Sequence, residues 1–191
     1  KGDKSVPDAA FEAELLKPSA LPAAEQARLR ASFARFVAAQ PAGSVPVHRL
    51  EFRGSRIGPN AFALPGGTVV MTDELVKLVA ADEQVINGVL AHELGHVRHR
   101  DGMRMLLQAS AVGVLASAVL GDFSSLLAAV PVVLGQAAYS RDAERRADAE
   151  AARMLQAAGV SPAVMVVFFE KVASVSGDNR LGIAIASHPA D

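Results

Sequence analysis

The chain has no cysteine and no tryptophan. The first absence excludes disulfide frameworks, thiolate zinc sites and cysteine nucleophiles, while leaving the compartment open. Aromatic residues are scarce altogether, with eight Phe and one Tyr in 191 residues against 37 Ala. That balance favours helices over an extensive β structure. Charge of neither sign dominates: 19 Lys and Arg face 20 Asp and Glu, for a formal net charge of −1. A nucleic-acid partner is therefore not expected, because such binders concentrate basic charge on one face. Disorder is excluded too, since 51% of the chain is hydrophobic and only 20% charged. The length suits one compact domain with a sizeable core. The start, Lys1-Gly2-Asp3-Lys4, has neither an initiator Met nor an apolar run behind its charges. Any targeting segment or membrane anchor could accordingly lie outside this sequence.

What is present is helical periodicity broken by turn signals. Residues 8–16 read as a short helix that stops before Pro18. A longer helix is predicted from Pro22 to about Ala39, with Leu29, Phe33, Phe36 and Val37 at helical spacing and Pro41 and Gly43 beyond it. Residues 47–53 read as a strand, and Ala61 to Thr72 as a hairpin around Pro65-Gly66-Gly67. A short helix starts at Thr72 or Asp73 and runs to about Ala80, its Asp73 and Glu74 suiting the helix dipole. The next spans about Asp82 to Arg100, with Val85, Ile86, Val89, Leu90, Leu94 and Val97 as its buried stripe. Residues 105–121 and 123–140 carry no charge. A charged helix follows from about Ser140 to Ala158, closed by Gly159. Ser161-Pro162 opens a last helix to about Ser174, and the tail 177–191 reads as loop. The expected class is α+β, mostly helical, with one small sheet.

Chemistry enters with His92-Glu93-Leu94-Gly95-His96, inside the strongest of these helices. Residues i and i+4 share a helical face, so both imidazoles can reach one ion. Zinc suits them because it takes neutral imidazole nitrogens and tolerates a tetrahedral site with one open position. Glu93 is turned about 100° around the helix, where it can address a water beside the metal. This is the HExxH signature of metalloproteases. The plainer reading, two histidines on a solvated face, sits badly with Leu94 and Gly95 between them. A third ligand is needed. A His six residues beyond His96 would make another class of site, but that position is Gly102. His99 is only three residues on, turned off the shared face, and reads as a solvated helix-end residue. Glu144 is the better choice, in Ser140-Arg141-Asp142-Ala143-Glu144-Arg145-Arg146-Ala147-Asp148. Glu144 and Asp148 are again i and i+4, so one carboxylate can ligate and the other can accept the far N–H of a ligating imidazole. Alone, this charged run would read as a solvated face.

HELGH followed by SRDAERRAD resembles the zinc metallopeptidase family of HtpX and the CAAX prenyl proteases, peptidase family M48. That family's pattern is HExxH and then a third-ligand Glu in SRxxExxAD. Asn60-Ala61-Phe62-Ala63-Leu64-Pro65-Gly66-Gly67 is similar to the segment leading into its active-site strand, and Ser187-His188-Pro189 to its C-terminal SHP element. The family continues past that element with an Arg-containing helix, whereas this chain ends at Asp191. The resemblance covers roughly residues 47–191. It implies a zincin-like domain with an active-site helix, one Zn2+ held by His92, His96 and Glu144, Glu93 as catalytic base and Asp148 behind a ligand. It also brings His188 near the metal, either as a donor to the developing oxyanion or as a fourth ligand that keeps the enzyme latent. Substrates would be polypeptides, in protein quality control of the bacterial cell envelope. The rival is a chaperone-like zinc-containing module with little proteolysis.

Three further expectations follow. Residues 1–46 should form a helical segment packed on a catalytic domain, 47–191. A strand of the hairpin, Ala61–Leu64 or Thr68–Thr72, offers an edge on which substrate could be added as a β-strand, unless the hairpin only closes the core. The uncharged stretch 105–140 is either a helical pair buried between the metal helices or a membrane contact.

Overall fold

A computed structural model describes residues 16–56, 58–105, 107–108 and 139–176. Its strands are β1 (Leu16–Pro18), β2 (Arg49–Ser55), β3 (Ala61–Ala63) and β4 (Thr68–Thr72). Its helices are α1 (Ala23–Ala38), α2 (Asp73–Leu78), α3 (Glu83–His99), α4 (Arg141–Ala157) and α5 (Val164–Ser176). Residues 101–105 add a helical segment after α3. The chain is α+β and mostly helical.

The strands form one sheet in the order β1-β2-β4-β3. β2 and β4 run parallel, with Phe52 opposite Met71, while β1 and β3 are antiparallel to their neighbours. The predicted hairpin forms. Its turn needs Gly67, at φ +90°, because a Cβ there would lie 2.3 Å from the Val47 carbonyl oxygen. Alternation sends Leu50, Phe52, Val69 and Met71 to one face of the sheet. There they meet Leu29, Phe33 and Phe36 of α1 and Val85, Ile86, Val89, Leu90 and Leu94 of α3 in one core.

Two expectations are corrected. Thr68–Thr72 is not an edge: it is hydrogen-bonded on both sides, and β3 is the outer strand. The helix read over 8–16 does not reach its predicted end, since Leu16 opens β1. Pairing with β2 accounts for this, and so does a local tie in which the Ser19 hydroxyl and the Ala20 N–H donate to Asp73, at 2.7 and 2.6 Å. The rest of that predicted helix, residues 8–15, lies outside the described residues.

Candidate metal centre

α3 begins at Asp82, whose Oδ1 accepts from the N–H groups of Gln84 (2.9 Å) and Val85 (3.2 Å). With the start pinned, the helical period sends the Val85–Leu94 stripe to the sheet and His92 and His96 towards α4. α4 begins the same way, the Ser140 hydroxyl accepting from Ala143 N–H at 3.2 Å. Small buried residues, Ala143, Ala147 and Ala151, let the two helices meet closely. Gly95 is the tightest point. A Cβ there would lie 2.7 Å from Ala147 Cα and 3.2 Å from its carbonyl oxygen, which are backbone atoms that cannot swing aside.

This makes Gly95→Ala a test of the helix spacing. Alanine would add about 1 kcal/mol of helix propensity, but overpacking a close contact costs about 1–3 kcal/mol. Because the clash is with backbone, a net loss of about 1–2 kcal/mol is expected, with weaker metal binding as α4 is pushed away. Thermal unfolding and a metal titration read both. An unchanged Tm with unchanged affinity would dismiss the contact as unimportant.

Across that contact the structure brings together His92, His96 and Glu144, all buried. The two Nε2 atoms are 3.2 Å apart, and each lies 3.4 Å from a Glu144 oxygen. Bonds of 2.0–2.1 Å to a tetrahedral ion place neighbouring donors about 3.3–3.4 Å apart, so the three donors already span the edges of such a site. They are the set, among the described residues, that could hold one metal ion. The far nitrogens are also engaged. His92 Nδ1 donates to Asp148 Oδ1 at 2.9 Å and His96 Nδ1 to Asp101 Oδ2 at 3.1 Å, leaving both Nε2 atoms facing inward.

The electrostatics favour positive charge at this point. Burial pushes the His92 imidazolium down, but the Asp148 and Glu144 hydrogen bonds and the Glu93 and Glu144 charges outweigh it, raising its pKa to about 10. His96 is raised as well: burial opposes the shift, and Asp101, Glu144 and Glu93 produce it. The same carboxylates that favour a proton there also favour a dication. Glu93 is 1% exposed, and its charge acts on both imidazoles and on Tyr139.

Two neighbours were not anticipated. Asp101 is buried and also meets Arg146 of α4 (Nη2 to Oδ1, 3.1 Å) and the more exposed Arg104 (3.5 Å). The Tyr139 ring stacks on His96, centroids 3.9 Å apart and 14° from parallel. Asp101 could have been noticed as the first carboxylate beyond His96; Tyr139 left no signal. His99 stays out of the cluster. His188 and the uncharged stretch from 109 to 138 lie outside the described residues. Among the described residues no helix is long and apolar enough to cross a membrane.

The family model for Peptidase family M48 matches residues 23–191. The chain is similar to Metalloprotease LoiP of Escherichia coli, 30% identical over 138 residues that make up 69% of this chain and 54% of that protein. It is similar to Metalloprotease YcaL of the same organism, at 33% over 137 residues, 68% and 53% of the two chains. A Protease HtpX homolog of Halobacterium salinarum is 36% identical over 116 residues, 51% of this chain and 39% of that one. The chain thus spans about half the length, or less, of these curated relatives.

Proposed function

The chain belongs to peptidase family M48, and on that premise we propose that it is a zinc-dependent metalloendopeptidase. The observation that carries this reading is the His92–His96–Glu144 cluster at the spacing of a tetrahedral site, with Glu93 buried beside it. These three residues would hold one zinc per chain. When bound, zinc polarises a carbonyl and lowers the pKa of water. Glu93 is the general base: its carboxylate takes a proton from the attacking water as the C–O bond forms. It then returns that proton to the leaving amine nitrogen as the C–N bond breaks. Asp148 holds His92 with its Nε2 facing His96 and Glu144, where the ion would sit.

The substrate is a polypeptide laid along β3. This strand has a neighbour on one side only among the described residues. A cleft of about 260 Å³ lies at its far end, between Ala63, Leu64, Pro65, His96, Val97 and Met103. Main-chain pairing with an outer strand would hold many sequences alike. The setting that fits the family resemblance is the bacterial cell envelope.

The test is digestion of an unfolded polypeptide by the zinc-loaded chain, followed as new N-terminal amines. Cleavage is expected, abolished by a chelator and restored by zinc. Cleavage indifferent to the chelator would sink the metal mechanism. Zinc binding and polypeptide binding with no new N-termini would favour a binding module.

A further inference from the structure

We propose that Asp101 and Arg146 are positioning residues for the metal: Arg146 holds the Asp101 carboxylate, and that carboxylate fixes His96 with its Nε2 turned into the site. This rests on the zinc reading above and extends it to residues that neither metal motif contains as ligand or base.

The geometry forms a chain of contacts. Arg146 Nη2 lies 3.1 Å from Asp101 Oδ1, and the other carboxylate oxygen lies 3.1 Å from His96 Nδ1. Tyr139, stacked on the ring, blocks its tilt from one face. The arrangement makes α4 the organiser of all three donors. Glu144 offers an oxygen directly, Asp148 holds His92, and Arg146 holds His96 through Asp101. Any displacement of α4 along α3 would therefore disturb the three together.

The two carboxylates behind the imidazoles are not equivalent. The Asp148 side chain is 56% exposed and that of Asp101 only 3%. Water can replace part of what Asp148 supplies. At Asp101 no such replacement is at hand: an amide there would offer the imidazole N–H only an uncharged acceptor and turn its NH2 group towards Arg146. Asp101 itself needs an opposite charge at that depth. Burial pushes its pKa up, and His96 and Arg146 hold it below the usual carboxylate range. Arg104 at 3.5 Å has a side chain 62% exposed, against 40% for Arg146 at 3.1 Å, so Arg146 is the stronger tether.

The sign of the Arg146 effect separates this role from a plain field effect. A guanidinium near a dication repels it, so its removal through the field alone would tighten zinc binding. Acting through Asp101, its removal loosens zinc binding.

The experiment measures zinc affinity of the full chain by competition with a chromophoric chelator, with the Tm of each metal-free variant alongside. Wild type is expected to bind one zinc. Asp101→Asn, which keeps the shape, should bind about 10–100-fold more weakly, and with a greater loss than Asp148→Asn. Arg146→Gln should weaken binding by up to about tenfold, and Arg146→Lys should recover part of it. The double variant should be no weaker than Asp101→Asn alone, since both changes cut one contact chain. Tighter binding by Arg146→Gln, or a double loss equal to the product of the single ones, would overturn the proposal. Wild-type affinity in both single variants would do the same. Absence of zinc binding by wild type would overturn the metal reading along with this one, whereas unaffected variants of a zinc-binding wild type would overturn this one only. Should Asp101→Asn fail to fold, Arg146→Gln still decides, because that side chain is 40% exposed.

Discussion

Glu93→Gln is expected to keep fold and zinc and to lose hydrolysis by about 10²–10⁴-fold, the usual contribution of a positioned general base. The substitution replaces one oxygen by an NH2 group of the same size, so the packing around a residue 1% exposed is preserved. The donors His92, His96 and Glu144 are untouched: the period of α3 sets the 3.2 Å between the imidazoles, and the contact of α3 with α4 sets the 3.4 Å to Glu144. What the amide cannot do is accept the proton of an attacking water. The measurement is peptide cleavage at matched zinc content. Wild-type rates at full zinc occupancy would remove Glu93 from the mechanism, and loss of the metal would assign it to the site's architecture instead.

Why the site could be anticipated, and where anticipation stopped, has a common physical reason. Two i, i+4 pairs are local facts of the helical period, so His92 with His96 and Glu144 with Asp148 could be placed on faces without knowing the fold. The starts of both helices were equally legible, because Asp82 and Ser140 cap by reaching two or three residues along their own chain. That the faces meet at the right distance depends on Gly95 seated against Ala147, a contact between residues 52 apart that no local rule contains.

Asp101 escaped for a different reason. α3 ends at Arg100 in the left-handed conformation (φ 54°), where Gly or Asn would have been the readable signal. That reversal brings the next residue back under His96. Strand order was hidden in the same way. A Pro65-Gly66-Gly67 turn predicts that β3 pairs with β4, and says nothing of β2 arriving parallel on the far side of β4. In sequence Asp73 is a charge suited to the start of α2, yet its carboxylate also ties down Ser19 and Ala20. Side chains with one local and one distant partner show only the local one in sequence.

Glu144→Gln makes the same chemical change as Glu93→Gln and is expected to give the opposite metal readout. In the proposed site Glu144 would be the anionic donor opposite two imidazoles that are neutral only once zinc takes the place of their Nε2 protons; its oxygens lie 3.4 Å from each Nε2. The amide keeps the volume but removes the charge that balances a dication in a buried site, and its NH2 face has no lone pair to offer. Zinc affinity should therefore fall by more than the roughly 10–100-fold expected of a partner behind a ligand, and hydrolysis should fall with occupancy. Raising free zinc until the site refills should restore some activity in Glu144→Gln. It should restore none in Glu93→Gln, which is already loaded. Equal zinc affinity in Glu144→Gln and wild type would mean that the third donor is another residue, however well the distances suit this one.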